Sequence, residues 1–440
     1  MKNNKIQVLL APSDLHGVGH FRNIWPAQSI NKYYSDEFDV EINAMPNFDN
    51  IEYFKQFDII HFHRQLGPHE KTDELFAQLR AAGVVLIMDI DDYWAPPSTH
   101  PLYEIVKQEK LTEKIIEIMQ KSDYVSTTTN IFADHIRKHN KNVLVLPNAL
   151  DMKHPMWKSP VKENLTGKCR ISWIGGSSHM HDLLHLGRGV RDVYSSKELE
   201  DKFQFIMCGF DTRGTITEIT PDQQRHTRNI RPEETIWMKF ESVFTNKYEG
   251  LRKDPEYVTW LKKIKREEYP DMDNKTYIRR WTLPLTKYGE HYDSCDVCLA
   301  PLEEDDYTKT DKGQVIKELN LFNEVKSELK IIEAGMKRKV LIAQDCGIYR
   351  ELLENGKTGI LIKNDRKDWY RAMKKVILDK EYRDMLADNL HEYVMAKYEL
   401  KTVTAHRVKI YKQVIEEMKA KRAMASKTVI PIESKTEEIA

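Results

Sequence analysis

The stretch Phe322–Gly347, FNEVKSELKIIEAGMKRKVLIAQDCG, carries the two periodicities that decide the fold. One set of polar side chains recurs every three or four residues and would share one face of a helix: Asn323, Lys326, Lys330, Glu333 and Lys337. An apolar set follows the same spacing: Val325, Leu329, Ile332 and Met336. The run VLIA that comes next is typical of a buried parallel strand. The stretch therefore predicts a helix and a strand, with a polar face that is either solvated or built to hold an anion and a sugar.

Similar units recur along the whole chain. Aliphatic runs alternate with helical patterns in the first half (IQVLLAP, FDVEINA, FDIIHFH, GVVLIMDID, YVSTTT, NVLVLPN). After a linker they return as CRISWIGG, FQFIMCGF, YIRRWTLP, SCDVCLAPL, KVLIAQD and GILIK. Strands that alternate with helices indicate parallel sheets, and 440 residues exceed one ordinary core. We predict an α/β fold of two Rossmann-like, doubly wound domains that face a central cleft.

The domain boundaries follow from the same patterns. We expect a first domain over 1–150 and a second over 151–395, the latter with an insertion at about 211–274. The insertion includes the helical patterns IWMKFESVF and YVTWLKKIKREE. A C-terminal helix over 396–423 then packs back on the first domain, and 424–440 form a flexible tail.

Composition excludes several function classes. Sixty-eight basic residues balance 68 acidic ones, which removes the simplest argument for a nucleic-acid partner. We find no apolar run long enough to cross a membrane and no signal-peptide pattern. Five scattered cysteines argue against a disulfide framework and favour a cytoplasmic protein. The lone CxxC of Cys295 and Cys298 is more typical of buried thiols than of a metal site.

Candidate site residues in the first domain lie where strands end. Gly17 and Gly19 form either a ligand loop or a plain turn, because glycines at a helix start free backbone N–H groups. His61 fits a packed, hydrogen-bonded histidine, whereas His63 lies nearer the strand end and either packs or meets substrate. A third group of candidate residues in this domain consists of aspartates.

The acidic group comes from the stretch LIMDIDDYW. Its members Asp89, Asp91 and Asp92 could bind a metal, act as a base or accept hydrogen bonds from sugar hydroxyls. A helix N-cap would account for one of the three without any function.

The second domain offers an anion site directly after its first strand. In WIGGSSHMHDL, Gly175 and Gly176 would allow close approach, and Ser177 would donate a hydrogen bond. Glycines, hydroxyls and a helix N-terminus together suit a diphosphate.

These motifs together resemble GT-B glycosyltransferases of group 1, the family 4-like enzymes of bacterial or phage type. The resemblance is carried by VLPNALD, WIGGSSHMHDL, YDSCDVCLAPL, FNEVKSELKIIEAG, GIYRELLENGKTGILI and the aspartate-rich MDIDDYW. It covers most of the chain and implies a nucleotide-sugar donor, with UDP-sugars foremost.

The resemblance also implies roles for individual residues. Glu333 matches the second glutamate of the family signature, which hydrogen-bonds the nucleotide ribose. Val325 stands where the first glutamate is expected, so Asn323 or Glu324 takes that catalytic place. Donor diphosphate contacts fall to Lys326, Ser327 and Lys330, with Arg279 as a further cation. We expect Lys337 to lie only at the surface.

On the first-domain side, the resemblance places Asp91 at the donor sugar and acceptor, with Asp89 also contacting the acceptor or sugar hydroxyls. The implied reaction is sugar transfer to a hydroxyl acceptor, retaining and independent of metal or any other cofactor. The acceptor stays open between a glycan, a lipid-linked molecule, a protein and a modified nucleic-acid base. Three alternatives remain: a nucleotide-sugar epimerase of the same fold, a phage DNA-base glycosyltransferase, and a catalytically inactive binding protein.

Overall fold

The computed structural model describes residues 5–158, 167–211, 213–220, 224–231, 234–245, 276–309, 315–363 and 366–428. Two large parallel sheets organise these residues. The strand runs expected from the sequence form the sheets, so the predicted fold class is confirmed.

The first sheet has the strand order β2-β1-β3-β4-β5-β6. Its strands are β1 Ile6–Ala11, β2 Phe38–Ile42, β3 Ile59–His63, β4 Val85–Asp89, β5 Tyr124–Thr127 and β6 Val143–Val145. All neighbouring pairs are parallel. The chain leaves β1 toward β2 and then returns to its other side at β3. The carboxyl ends of β1 and β3 therefore form a topological switch point, where α/β proteins bind ligands.

The second sheet repeats this plan with the order β11-β8-β7-β12-β15-β16. Its strands are β7 Cys169–Ile174, β8 Phe203–Phe210, β11 Tyr277–Trp281, β12 Val297–Ala300, β15 Val340–Gln344 and β16 Ile360–Ile362. Two antiparallel hairpins stand outside the sheets: β9 Thr215–Ile219 with β10 Arg225–Asn229, and β13 Asp305–Lys309 with β14 Val315–Leu319. The switch point of this sheet lies between β7 and β12.

Helices cover both faces of each sheet. Around the first sheet they are Trp25–Tyr33, Ile51–Lys55, Thr72–Ala81, Tyr103–Gln108, Leu111–Lys121 and Asn130–Ile136. Around the second they are Met180–Leu184, Leu186–Ser195, Trp237–Phe244, Leu321–Glu324, Leu329–Met336, Gly347–Leu352, Arg366–Leu378 and Lys380–Tyr398. Several begin at side-chain caps: Thr129 Oγ1, for example, accepts a hydrogen bond from the Phe132 N–H.

The segment that opened the sequence analysis is divided into two helices. A helix over Leu321–Glu324 ends at Val325, and a second runs from Leu329 to Met336. The intervening residues form a loop, so the two predicted stripes do not share one continuous helix. Lys337 is a second correction: its side chain is buried, and its Nζ lies 2.8 Å from Asp293 Oδ1.

The expected insertion at 211–274 is described only in part. It contains the β9–β10 hairpin and the helix Trp237–Phe244, whose apolar side chains are buried in the core of the second domain. The second helical pattern, YVTWLKKIKREE, lies outside the described residues.

The two domains are joined by paired chain segments and by the last helix. Leu150 and Glu399 form a parallel bridge, with hydrogen bonds from Leu150 N to Tyr398 O and from Leu400 N to Leu150 O. The helix Leu400–Thr428 then packs on the first sheet, where Val408 and Tyr411 join its apolar core. Residues 429–440 lie outside the described part of the chain. None of the described helices is both long and apolar enough to cross a membrane.

A buried ion pair connects the elements that meet at the first switch point. The Arg22 guanidinium donates to both carboxylate oxygens of Asp89, at 2.9 and 2.7 Å, and both side chains are buried. Its remaining nitrogen donates to the Leu146 carbonyl at 2.6 Å and to Asn148 Oδ1 at 3.3 Å. One guanidinium thus ties the helix after β1 to the ends of β4 and β6.

We predict that Asp89→Asn destabilises the first domain strongly, because it leaves the buried Arg22 charge without a counter-charge. The expected loss is about 3–5 kcal/mol in the free energy of unfolding. Urea denaturation measures it. The matched control is Asp368→Asn, which breaks an exposed pair with Arg371 and should cost less than about 0.5 kcal/mol. Equal effects of the two substitutions would contradict the role of the pair.

Candidate functional site

The switch points of the two sheets meet at a cleft that side chains cross. Lys326 Nζ of the second domain lies 3.2 Å from Asp92 Oδ1 of the first. The backbone N–H of Asn148 donates to Glu328 Oε1 at 2.6 Å. The carboxyl-end loops of both sheets therefore form a single site, as the topology leads us to expect.

His63 spans the first switch point. Its Nε2 donates to Asp91 Oδ1 at 2.9 Å, and its Nδ1 lies 2.7 Å from Ser13 Oγ on the loop after β1. Burial alone would raise the pKa of the Asp91 carboxyl, but His63 and Arg64 hold it below its usual range. Asp91 is thus an oriented, ionised carboxylate at the rim of the cleft, suited to accept hydrogen bonds from hydroxyl groups.

The loop that contains Gly17 and Gly19 is shaped by Asp14. Its Oδ1 accepts hydrogen bonds from the backbone N–H groups of His16, at 2.7 Å, and Gly19, at 3.2 Å. A Cβ at Gly19 would lie 1.8 Å from the Asp14 carbonyl oxygen, so only glycine fits there. Gly17 has open space beside it. Gly19 is therefore required by packing of the turn, and Gly17 faces room that a ligand could use.

Asp89 does not lie where we expected it. It is fully buried in the pair with Arg22 and also accepts a hydrogen bond from the Ser126 hydroxyl. Burial alone would raise its pKa, but Arg22 and His61 hold it well below the usual carboxyl range. The predicted contact of Asp89 with acceptor or sugar hydroxyls is wrong, because this carboxylate is used inside the fold.

His61 is the packed histidine that the sequence favoured. The Ser126 hydroxyl donates to Asp89, so it accepts from His61 Nε2 at 2.7 Å, and His61 Nδ1 accepts the Tyr411 hydroxyl at 2.6 Å. Burial lowers the pKa of His61 to about 4, although Asp89 opposes the shift. The ring is therefore neutral at physiological pH and links the first sheet to the last helix.

On the second domain, the glycine turn after β7 is held close to its neighbours. A Cβ at Gly175 would lie 2.6 Å from the Trp173 ring, whereas Gly176 has open space. Ser177 begins a short 3-10 turn, Ser177–His179, that leads into the helix Met180–Leu184. In that turn His179 Nδ1 lies 2.7 Å from Asp182 Oδ2. Gly176 and Ser177 thus present backbone and hydroxyl groups at the cleft.

Two lysines approach this glycine turn. Lys330 Nζ donates to the carbonyl oxygen of Ile174, the residue before Gly175, and lies 3.4 Å from the Tyr288 hydroxyl. Lys326 lies over the Phe322 ring at 4.0 Å while it pairs with Asp92. Both side chains are partly exposed. Lys330 thus brings positive charge to the turn itself, and Lys326 brings it to the cavity that Ser178 borders. Ser327, between the two lysines in sequence, is half-buried.

Asn323 and Glu324 hold the second-domain loops together. Asn323 Nδ2 donates to Asp182 Oδ1 at 2.8 Å and to the Glu303 carbonyl at 3.0 Å. Glu324 Oε2 accepts the backbone N–H of Gly347 at 3.1 Å. Asn323 therefore borders the cavity beside Lys326, and Glu324 is bound to the start of the helix Gly347–Leu352.

Glu333 and Arg279 occupy different parts of the second domain. Glu333 is buried, burial raises its pKa, and its Oε2 accepts the Tyr292 hydroxyl at 2.5 Å. Arg279 forms two hydrogen bonds of 2.6 Å with the buried Glu241 carboxylate and lies over the Phe210 ring. The structure therefore places Arg279 in a buried ion pair and does not bring it to Lys326 and Lys330.

The surroundings of Val325 show why this position holds a valine and not the glutamate that the resemblance leads us to expect. It belongs to the second-domain segment but is fully buried in an apolar cluster of the first domain, with Trp94, Val125 and Phe132. A carboxylate at this position would lose its hydration without a charged partner, at a cost of several kcal/mol. The valine thus serves as an apolar contact between the domains.

Glu328 is a buried carboxylate at the contact between the domains, and sequence reasoning missed it. It precedes the helix Leu329–Met336, is 1% exposed, and its Oε2 has no hydrogen-bond partner among the described residues. Burial raises its pKa to about 7, while Arg22 and the hydrogen bonds oppose the shift. The sequence offers one signal, an acidic residue at a helix start. Its burial against Asn148 depends on how the domains meet.

Solved structures with the same architecture include a glycosyltransferase and a protein that binds UDP. HepE from Anabaena, in complex with UDP and glucose, has a TM-score of 0.56 over 93% of this chain and 99% of its own, at 10% identity. A glycosyltransferase from Rickettsia africae has a TM-score of 0.55 over 94% of this chain and 99% of its own, at 13% identity. Sucrose-phosphate synthase from Thermosynechococcus elongatus has a TM-score of 0.54 over 94% of this chain and 100% of its own, at 12% identity. The fold is GT-B. Comparisons with protein-family profiles and with curated proteins return no match.

The GT-B architecture explains why the site residues come from distant parts of the chain. His63 ends a strand of one sheet and Asp91 follows another, whereas Gly176, Lys326 and Lys330 lie beside the second sheet. Among the described residues, no cluster of three or more histidine, cysteine, aspartate or glutamate side chains is arranged around a metal position. All five cysteines are buried free thiols, and Cys295 and Cys298 are thus the buried pair that the sequence predicted.

We predict that Glu328 makes stability fall as the pH rises. Its folded pKa of about 7 exceeds the unfolded value of about 4.3. The folded state therefore holds a proton that the unfolded chain releases between about pH 4.5 and 7. Glutamine has no proton to release. The free energy of unfolding of Glu328→Gln minus that of wild type should therefore rise by up to about 3 kcal/mol between pH 4.5 and 8.

Urea denaturation at a series of pH values measures this difference. The control is Glu354→Gln, which alters an exposed carboxylate paired with Lys357 and should shift stability by the same small amount at every pH. A pH-independent difference for Glu328→Gln would show that the carboxylate is ionised in the folded protein.

Proposed function

We propose that the protein is a glycosyltransferase that moves a sugar from a nucleotide-sugar donor to a hydroxyl acceptor. One observation carries the proposal: Lys326 of the second domain reaches across the cleft to Asp92, which is next in sequence to the oriented Asp91 carboxylate, while Lys330 bonds the carbonyl that precedes the glycine turn. This arrangement separates an anion site from a hydroxyl site across one cleft. The GT-B fold and its occurrence in glycosyltransferases support the same reaction class.

A UDP-sugar is the donor we propose. HepE, which shares the fold, is described in complexes with UDP and with UDP-glucose. In this chain Gly175, Gly176 and Ser177 would face the diphosphate, together with Lys326, Ser327 and Lys330. Backbone amides and lysines donate hydrogen bonds that stabilise phosphate charge, and these hydrogen bonds become stronger when water is excluded. The buried Glu333 is our candidate for the ribose hydroxyls.

Donor binding would compete with an existing ion pair. Lys326 is paired with Asp92, and both side chains are partly exposed. Such a pair contributes about 1 kcal/mol or less. A diphosphate carries more charge at the same place, so Lys326 would exchange the carboxylate for the phosphate oxygens. The exchange would free Asp92 at the side of the cleft where the acceptor binds.

Departure of the diphosphate would leave positive charge on the sugar. Lys326 and Lys330 would neutralise the leaving group as the bond to the sugar carbon breaks, which is the charge stabilisation that a metal supplies in other enzymes. The acceptor hydroxyl would bind at Asp91, oriented by His63, and attack from the face that the diphosphate leaves, passing its proton to an oxygen of the departing diphosphate. We therefore propose a retaining reaction that needs no metal.

The cysteines bear on where this reaction takes place. All five are buried, unpaired thiols, and Cys295 Sγ lies 3.7 Å from Cys298 Sγ. Two thiols so close would be prone to oxidation in a secreted protein. We propose that the protein works in the cytoplasm.

We predict that Lys326→Ala impairs UDP-sugar binding and turnover far more than folding. Loss of one charge-assisted hydrogen bond to phosphate weakens binding by about ten- to a hundredfold. Calorimetric titration with UDP and UDP-glucose measures affinity, and release of UDP with a mixed acceptor panel measures turnover. The matched control is Lys357→Ala, which removes an exposed lysine of the same domain and should change neither.

Three results would contradict the proposal or a part of it. Near-wild-type transfer and donor affinity in Lys326→Ala would remove the lysine from the site. Conversion of the sugar on UDP without any acceptor, and without UDP release, would identify an epimerase instead. Binding of UDP-sugars with no reaction of either kind would identify a binding protein.

A further inference from the structure

An apolar groove lies beside the proposed reaction centre on the first-domain side of the cleft. It encloses about 410 Å³, within the usual range for small-molecule sites. Its walls include Trp94, Leu102, Val106, Leu111, Ile115 and Phe322. The mechanism proposed above uses none of these side chains.

One end of the groove is polar and adjoins the catalytic carboxylate. Arg64 and Asp92 lie there, and Arg64 Nη2 is 3.6 Å from Asp91 Oδ1. Ser177 and Ser178 of the second domain form the facing wall. The groove thus begins where we place the acceptor hydroxyl and beside the proposed diphosphate turn.

The groove adjoins a smaller cavity on the donor side, and the wall is continuous from one to the other. Both are bordered by His100, Ser178 and Phe322, and the smaller one reaches Asn323 and Lys326. A molecule that lies along the groove would therefore have one end at the proposed donor sugar. This continuity favours the acceptor as the occupant of the groove.

The other end of the groove holds large apolar side chains that face solvent. Leu102, just before the helix Tyr103–Gln108, is 54% exposed, and Val106 on that helix is half-buried. Leu111 and Ile115, from the next helix, are also partly exposed. Such side chains at the rim of a cleft are typical of a surface that a ligand covers.

We propose that this groove binds the apolar tail of an amphiphilic acceptor. The head of the acceptor presents its hydroxyl at Asp91, and a hydrocarbon tail lies along Trp94, Leu102 and Val106. The inference rests on the proposed function, because it assigns the acceptor class for the same site.

The charges of the groove separate this acceptor from the alternatives. Among its described wall residues, Arg64 and His100 are the only basic side chains, and Arg64 lies beside Asp91. A nucleic-acid backbone would need several cations along the groove. A glycan would need polar partners along its length, whereas the outer half of the groove is aliphatic.

Tail length gives a direct test. Burial of each methylene contributes the equivalent of about fourfold in affinity. Ethyl, butyl, hexyl and octyl glucosides are titrated below their micellar concentrations, with the dissociation constant measured by calorimetry. We expect it to fall by about fourfold per methylene until the groove is full. A dissociation constant that does not change with chain length would overturn the proposal.

Matched variants show whether the tail lies in this groove. Leu102→Gln should weaken octyl glucoside binding by about fivefold or more. Ile105→Gln is the control, because Ile105 is equally exposed at 54% on the neighbouring helix but does not line the groove. Equal affinities in the two variants would overturn the proposal, because the chain-length effect would then come from non-specific adsorption.

Titrations with and without UDP separate this inference from the proposed function. Absence of UDP binding would refute the proposed donor site, whereas the chain-length series would still report on the groove. UDP binding together with a flat series would refute the amphiphilic acceptor and leave the glycosyltransferase proposal standing.

Discussion

The buried pair of Arg22 and Asp89 is the interaction on which the site depends. One guanidinium satisfies the carboxylate at the end of β4, the carbonyl after β6 and the side chain of Asn148. Asn148 in turn donates its backbone N–H to Glu328 of the second domain. The pair therefore positions the aspartate-rich loop that carries Asp91 and the segment that meets the second domain. A buried ion pair contributes little net stability, but it specifies one arrangement of the groups around it.

Adjacent residues of one loop connect the domains in different ways. Val325 inserts into the apolar core of the first domain, where its contacts are indifferent to charge. Lys326 forms a partly exposed ion pair with Asp92, which a phosphate could replace. The apolar contact can persist while the polar one changes partner, so donor binding and domain contact need not oppose each other.

Periodicity and strand-end rules were sufficient to predict the architecture from the sequence. The aliphatic runs form the strands of both sheets, and His61 packs as its place in an apolar strand indicated. Errors arose where a side chain meets an element distant in sequence. Asp89 ends a strand as an exposed ligand would, but Arg22 lies across from it, 67 residues away. Lys337 follows a helix and yet is buried, with its ammonium group paired to the buried Asp293, 44 residues away. Glu328 is buried where the backbone N–H of Asn148, 180 residues away, donates to it, and no local pattern records that contact.

The last described helix has a consequence for how the protein is made. Leu400–Thr428 covers one face of the first sheet, and its Tyr411 completes the hydrogen bonds of His61 in β3. The ribosome therefore synthesises β1 to β6 long before the helix that covers one face of their sheet. Until that helix is made, the apolar cluster that it shares with Val8, Ile59 and Ile87 is incomplete, and incomplete apolar clusters are the kind of surface that chaperones protect during synthesis. The domain that is translated first is thus the last to be completed.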